Sequence, residues 1–241
     1  MQTVAPLIAA LISFSLAISM LIRDPRDRIH RRYATTATTI AVVFLCMFFY
    51  VQTRHEFWRH GLLIGGLFVA PTSVQVYHLL LQRFNPPTGP LVKALYIAAL
   101  LQSLVVVLFG RSFLYIFAAD GLVIFFGLAA NVGILFWARR GAETHVDRTR
   151  LTYLAVFGAV SVVLMAVELV TTSWNLDAGG LYQLRIPFPP VGTLAAVAYI
   201  YFLGQMILLY RLLDLHEMIA KMANFAAMSV LLAGVYALIV L

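Results

Sequence analysis

The sequence predicts an all-α, polytopic transmembrane helical bundle of about eight spans, with the N-terminus outside. Three observations lead to this fold class. The chain of 241 residues is 62% hydrophobic and only 11% charged, whereas a soluble domain has about 25% charged residues. Apolar stretches of about 20 residues recur along it, and a helix of that length crosses a hydrocarbon core of about 30 Å. The 17 Lys and Arg residues are concentrated in every second connection between these stretches.

The apolar stretches define the predicted spans in order. The first, at residues 4–22, has no charged residue and no basic segment before it, which favours a retained helix over a cleaved signal peptide. The others follow after short polar connections, and only a few residues around Gly110 separate the fourth from the fifth. The eight spans are expected at 4–22, 35–52, 61–81, 92–108, 113–137, 151–173, 190–210 and 225–241.

The basic residues predict the orientation of these helices. Thirteen of the 17 lie in the first, third, fifth and seventh connections, five of them between Arg23 and Arg32, and four lie in the even-numbered connections. Cytoplasmic connections are enriched in Lys and Arg, so the odd-numbered ones are predicted to be cytoplasmic. The net charge of +7 is therefore attributed to topology and to the anionic headgroups of the lipid bilayer, and not to a nucleic-acid partner.

The whole chain, residues 1–241, is predicted to form a single integral membrane domain. Residues 211–224 alternate apolar and charged side chains at nearly helical spacing, which indicates a cytoplasmic amphipathic connector that relays small helix shifts. Its relay residues are Arg211, Asp214, Glu217 and Lys221. The last apolar stretch reaches Leu241 without a polar tail, so we expect the membrane part of a longer protein; the alternative is a short protein ending at the membrane face.

Acidic side chains within the spans are candidates for function, because inserting each one into a bilayer costs about 2.5–3.5 kcal/mol. With a rise of about 1.5 Å per residue, Asp120 and Glu168 are both expected in the outer third of the bilayer. The predicted ligand or signal pocket consists of these two acids with Trp174, Arg111 and Arg185. In the structural alternative, each acid pairs with an arginine, an asparagine or a hydroxyl on a neighbouring helix; a third option is that it snorkels to the interface.

Other polar residues within the spans are expected to make interhelical hydrogen bonds. They are His78, Gln75, Gln102 and Asn131. A haem site is not expected, because every other histidine lies in a connection and His78 has no second axial ligand at matching depth. The single cysteine, Cys46, is interpreted as a small buried hydrophobe. No motif for catalysis, for a metal or for a cofactor is recognised, so none of these is predicted.

Four features together resemble the multi-span N-terminal sensor region of bacterial histidine kinases, in the class with a seven-helix input module. They are an outside N-terminus leading into Arg-Asp-Pro-Arg at 23–26, Pro71 followed by Val-Tyr-His at 76–78, short connections, and Tyr-Arg-Leu-Leu-Asp-Leu-His-Glu at 210–217. The eighth apolar stretch departs from the seven-helix pattern, and a ninth helix would be needed to return the chain to the cytoplasm. The resemblance implies a two-component system in the bacterial inner membrane, a kinase domain in the same polypeptide, and a homodimer.

The predicted function is therefore a membrane-embedded sensor or input domain, and not an enzyme within these residues. It would pass a signal from the outer half of the bilayer to a cytoplasmic effector, a histidine kinase. Two alternatives stay open, a channel or transporter component and an accessory subunit of a larger membrane complex. Ion flux that disappears in Asp120→Asn would favour transport, and a large interface with another chain at lipid depth would favour the accessory subunit.

Overall fold

A computed structural model describes residues 4–53, 55–82, 89–109, 113–142, 144–177 and 191–208, apart from the side chains of 109, 113–123, 169–177 and 208. This part of the chain contains seven α-helices and no β-strand, which confirms the predicted all-α class. The helices are α1 Val4–Arg23, α2 Arg28–Thr53, α3 Glu56–Leu80, α4 Gly89–Phe109, α5 Phe113–Arg140, α6 His145–Asp177 and α7 Val191–Leu208.

Several of these helices have the length and composition of membrane spans. Among the described residues, five helices are long and apolar enough to cross a bilayer, namely α1, α2, α3, α4 and the His145–Glu168 part of α6. The apolar part of α7, Val191–Ile207, is shorter. This architecture indicates a multi-pass membrane protein. The predicted eighth span at 225–241 and the connector at 211–224 lie outside the described residues.

Most helices extend beyond the spans that hydropathy predicts, because a helix satisfies its own backbone and continues into the polar connection. α2, for example, begins at Arg28, where residue 35 was the predicted start of the span. Asp27 caps this helix by accepting a hydrogen bond from the backbone N–H of Ile29 at 3.0 Å. α6 begins after a reciprocal cap, in which Thr144 accepts from the Asp147 N–H and donates its hydroxyl to the Asp147 carboxylate.

Six of the seven helices form a ring. Successive contacts run from α1 to α2, α3, α5, α6 and α7, and α7 closes the ring by packing against α1. α4 lies outside this ring and packs mainly against α3. Its outward face is apolar, with Ile97 and Leu101 both about 60% exposed, as expected for a helix that faces lipid.

The largest buried cluster lies at one end of the ring. It joins Met20 near the end of α1, Tyr33 near the start of α2, Leu81 after α3 and Ala142 between α5 and α6. We call this end, formed by the connections 24–27 and 141–144, the basic end. At α1 the helix approach is close because the buried face is made mostly of small residues, including Ala9, Ala10 and Ala17.

A cavity within the helix ring

The helices of the ring line a partly open cavity of about 170 Å³. An engineered apolar cavity of about 150 Å³ in another protein holds benzene, so this one has room for a small organic molecule. All helices of the ring except α1 contribute to its wall. The lining residues are Thr36, Ile40, Val43, Phe44, Leu62, Leu63, Gly66, Val69, Ser73, Tyr77, Ile124, Leu128, Asn131, Val132, Gly158, Ser161, Val162, Met165, Ala196, Tyr199, Ile200 and Leu203.

The serine and threonine hydroxyls in the cavity wall are bonded to backbone carbonyls, which leaves the space beside them mostly apolar. Thr36 donates to the Arg32 carbonyl at 3.1 Å, one turn earlier in α2. Ser73 donates to the Ala70 carbonyl at 2.8 Å, and Ser161 donates across to the Ala195 carbonyl of α7 at 3.2 Å. A hydroxyl that is already satisfied adds little polarity to the space beside it, so the cavity favours a mostly apolar occupant.

Asn131 on α5 is the exception in this wall. Its Nδ2 donates to the Ser73 hydroxyl oxygen on α3 at 2.7 Å, which links two neighbouring helices of the ring. Its Oδ1 is buried and has no hydrogen-bond partner among the described residues. The side chain is only 5% exposed. A buried carbonyl oxygen without a donor costs about 1–3 kcal/mol, so a ligand N–H or O–H group that reached this acceptor would be stabilised by it.

Tyrosine hydroxyls link the helices near the basic end of the cavity. Tyr77 on α3 and Tyr199 on α7 share a hydrogen bond through their hydroxyl groups. Tyr33 on α2 donates to the Ile200 carbonyl of α7 at 2.7 Å. α7 is thus held to both α2 and α3 by phenol groups, which combine a large apolar ring with one polar contact.

Two glycines make room for these tyrosines. A Cβ at Gly204 would lie 2.6 Å from the Tyr33 hydroxyl, and a Cβ at Gly158 would lie 2.9 Å from the Tyr199 hydroxyl. Any larger residue at either position would push the ring of the tyrosine away from α7 or α6. The tyrosine contacts therefore depend on glycine at positions 158 and 204.

Glu168 lies far from the basic end, where α6 meets the first turn of α7. Its two carboxylate oxygens accept hydrogen bonds from Thr193, one from the backbone N–H at 2.7 Å and one from the hydroxyl at 2.5 Å. Gly192 permits this approach, since a Cβ there would lie 2.8 Å from Glu168 Oε2. The sequence left open a structural role for this acid, in which it pairs with a hydroxyl on a neighbouring helix, and the Thr193 contact is of that kind.

The other residues of the predicted signal pocket are not placed by the structure. Asp120 lies in α5 and Trp174 in α6, but their side chains are outside the described ones, as are Arg111 and Arg185 altogether. Their role as a signal site stays a prediction. The relay residues Arg211, Asp214, Glu217 and Lys221 also lie outside the described residues.

The four predicted interhelical residues have different surroundings. Asn131 makes the expected contact between helices, to Ser73. Gln75 and His78 on α3 and Gln102 on α4 are half-buried. Cys46 on α2 is a free thiol and only 7% exposed, which agrees with its interpretation as a small hydrophobe.

One group of side chains at the basic end has the composition of a metal site. One ligand atom each of Asp24, Asp27 and His30 lies within 4.8 Å of the others. Both carboxylates already accept backbone hydrogen bonds, Asp24 from Arg26 and Asp27 from Ile29, and thereby shape the turn into α2. The cluster is thus accounted for by the local turn.

Sequence reasoning did not identify most of the residues that shape the cavity. Tyr33, Tyr77, Tyr199 and Ser73 are common residues in apolar helices, and hydropathy alone does not distinguish a wall residue from a lipid-facing one. A usable signal was the presence of Gly158 and Gly204 inside long apolar stretches, since glycine in a membrane helix marks a close approach.

Comparisons with known proteins add no family assignment. No protein-family model matches the chain, and neither curated proteins nor solved structures show a significant match. The fold and the cavity are therefore the features that bear on function.

Proposed function

We propose that the chain is the membrane-embedded input module of a bacterial signalling protein, and that its signal is a small, uncharged, mostly apolar molecule bound in the cavity. The observation that carries this proposal is a cavity of benzene size in whose wall, among the described residues, the hydroxyls are hydrogen-bonded and the buried Asn131 Oδ1 has no partner. A ligand with one N–H or O–H group, such as a phenol, an indole or a medium-chain alcohol, matches both features.

The route of the signal follows from the position of α7. This helix contributes Ala196, Tyr199, Ile200 and Leu203 to the cavity wall. It also precedes the amphipathic segment 211–224, for which the sequence predicts a relay. A ligand that fits one packing of α7 better than another shifts the equilibrium between the two by its difference in affinity, and the connector carries that shift onwards.

The proposed topology has the N-terminus outside and eight spans, so that the basic end faces the cytoplasm. The Lys and Arg distribution supports it. With this orientation the cavity reaches from Leu62, near the outer face, to Tyr77, near the cytoplasmic face. A bacterial inner membrane and a histidine kinase as the effector are proposed from the sequence resemblance, and the gene sequence that follows the Leu241 codon tests the latter. A further helix and a kinase core are the expected continuation.

Ligand binding can be tested with two neighbouring variants of α6. Val162 lines the cavity, whereas Val163 is 58% exposed on the outer face of the bundle. Val162→Phe fills the cavity, and Val163→Phe makes the same chemical change outside it. The purified chain in lipid nanodiscs would be titrated with phenol, indole and 1-hexanol, and binding would be followed by ligand-observed NMR with toluene as a ligand that lacks a donor.

Wild type and Val163→Phe are expected to show saturable binding of at least one donor-bearing ligand. Val162→Phe is expected to weaken that binding at least tenfold. Equal binding by the two variants would mean that the molecules only partition into lipid, and the cavity would lose its proposed role. Equal affinity for toluene and phenol would mean that Asn131 does not contribute to ligand recognition, and that binding depends on the apolar cavity alone.

A channel or transporter component remains the competing function. It requires polar groups along a continuous path, whereas the described wall hydroxyls bond to carbonyls or to one another. Proteoliposomes that show ion flux in the wild type and none in Asp120→Asn would favour this function over an input module.

A further inference from the structure

A hollow at the basic end combines positive charge with an exposed apolar border. It lies where α5 ends and α6 begins, has a volume of about 330 Å³, and is lined by Phe136, Arg139, Arg140 and Arg148. It is a shallow depression open to the surface and not an enclosed pocket, so a compact anionic group can reach the arginines from outside.

The three arginines reach the hollow for different reasons. Arg139 and Arg140 form the last turn of α5, where the negative end of the helix dipole stabilises cations. Arg148 comes from the first turn of α6, where the dipole disfavours a positive charge. The helix dipoles therefore do not explain why Arg148 lies beside Arg139 and Arg140. An anionic ligand between the three arginines would explain it.

Arg148 is held in place by the connection itself. Its Nη2 donates to the Ala142 carbonyl at 3.2 Å, which fixes the guanidinium group above the end of α5. An arginine has five N–H donors, so most of them remain for a ligand. None of the three guanidinium groups has an ion pair within the described residues. The neighbouring carboxylate of Asp147 accepts from the Thr144 hydroxyl, and Glu143 lies outside the described residues.

The apolar border indicates an amphiphile as the ligand. Phe136 is 41% exposed and Trp137 43% exposed, both within one turn of the arginines on α5. Tryptophan is enriched at the level where acyl chains meet headgroups, and the apolar ring of Phe136 extends the surface that an acyl chain can contact. Guanidinium groups bind phosphate through two parallel hydrogen bonds, which suits a phosphodiester.

We propose that this hollow binds the phosphate headgroup of one anionic phospholipid, whose acyl chains lie along Phe136 and Trp137. The proposal does not depend on the function of the central cavity. A freely diffusing phosphate would use the same arginines but would gain nothing from the aromatic border. The exposed aromatic side chains therefore favour a lipid over free phosphate as the ligand.

Two triple variants with the same loss of charge test the site. Arg139, Arg140 and Arg148 are replaced by Gln in the first, and the exposed Arg23, Arg26 and Arg31 of the other basic connection are replaced by Gln in the second. Each protein is equilibrated with equal amounts of phosphatidylglycerol and phosphatidylcholine, and the lipids retained are counted by native mass spectrometry. Thermal unfolding confirms that both variants are folded.

The wild-type protein is expected to retain phosphatidylglycerol over phosphatidylcholine. This preference should fall at least fivefold in the first triple variant and less than twofold in the second. Arg148→Lys keeps the charge but loses the planar fork, and should reduce the preference about twofold to threefold. Equal losses in the two triple variants would overturn the proposal in favour of diffuse attraction. Competition by glycerol 3-phosphate at millimolar concentration would overturn the assignment to lipid.

Discussion

Glu168 on α6 accepts two hydrogen bonds from Thr193 on α7, at 2.7 Å from the backbone N–H and 2.5 Å from the hydroxyl. Thr193 is the third residue of α7, and the first N–H groups of a helix have no partner within it. The carboxylate therefore caps α7 from a neighbouring helix. A negative charge at this position is also stabilised by the positive end of the helix dipole.

Replacement of Glu168 should loosen the first turn of α7. Glu168→Ala is expected to lower the free energy of unfolding by about 1–3 kcal/mol, because a buried N–H and a buried hydroxyl lose their acceptor. Hydrogen exchange should accelerate at residues 192–195, and Glu168→Gln, which keeps an acceptor oxygen, should have a smaller effect. Glu56→Ala is the control, since that side chain is 71% exposed. Unchanged exchange in Glu168→Ala would contradict the capping role.

The unpartnered oxygen of Asn131 leads to an unusual expectation for a buried polar residue. Asn131→Leu should change the melting temperature little, because the bond from Nδ2 to Ser73 is lost together with a carbonyl that has no donor, and Ser73 keeps its bond to the Ala70 carbonyl. The same variant should weaken binding of phenol or indole about tenfold, roughly the value of one hydrogen bond of 1.4 kcal/mol.

The control for this experiment is Ser161→Ala, another polar residue of the cavity wall whose hydroxyl has a partner. It should destabilise the protein by about 0.5–1.5 kcal/mol and leave ligand binding intact. A large loss of stability in Asn131→Leu would show that the side chain makes a net stabilising contribution in spite of its oxygen without a donor, and the assignment of Oδ1 as the ligand acceptor would lose its basis.

Glycine at position 204 is needed by a tyrosine on another helix. In Gly204→Ala the new Cβ would lie 2.6 Å from the Tyr33 hydroxyl, and overpacking of this kind costs about 1–3 kcal/mol. Adding Tyr33→Phe should recover part of this loss. Gly133→Ala is the matched control, because nothing lies within 4 Å of its Cβ position, and it should be neutral or stabilising. The measurement is thermal unfolding of all four proteins in the same detergent.

The shared hydrogen bond between Tyr77 and Tyr199 should appear as a coupling energy. Tyr77→Phe and Tyr199→Phe are each expected to cost about 0.5–1.5 kcal/mol, and the double variant should cost much less than their sum, since both single changes break one bond. Tyr33→Phe combined with Tyr77→Phe should be closer to additive, because the Tyr33 hydroxyl donates to a backbone carbonyl. Additive losses in the first pair would count against a bond between the two hydroxyls.

Cysteine labelling tests the proposed orientation. In a Cys46→Ser background, Arg26→Cys reports on the basic end and His55→Cys on the opposite end, and both native residues are exposed. A membrane-impermeant maleimide added to intact cells should label His55→Cys, and label Arg26→Cys only after the cells are opened. The reverse pattern would place the N-terminus inside and invert the proposed sides of the cavity.

Hydropathy predicted the part of the fold that depends on local composition. The first seven predicted spans each overlap one observed helix, because a run of apolar residues in lipid must satisfy its own backbone hydrogen bonds. It did not predict where helices extend beyond the apolar stretches, as α2 does from Arg28. Those boundaries depend on caps such as Asp27, which hydropathy does not record.

The neighbours of each helix were not predictable in the same way. α4 is as apolar as α1, yet it lies outside the ring. Hydropathy does not record which residues of a helix pack against another helix, so it does not distinguish the two. Asn131 was expected to bond between helices. Its partner Ser73 and the cavity beside it did not follow from the sequence, because they depend on which helices are neighbours. The acids stood out in the sequence because charge in lipid is costly, whereas a tyrosine or serine in a span is common.

Closure of the ring by α7 against α1 has a consequence for biogenesis. Helices enter the bilayer in the order of their synthesis, so the five helices α2 to α6 are inserted before α7, which is the second neighbour of α1. During that interval its small-residue face meets only α2 and lipid. The cavity cannot form before α7 is inserted, because α7 supplies part of its wall, so the cavity is a late feature of assembly.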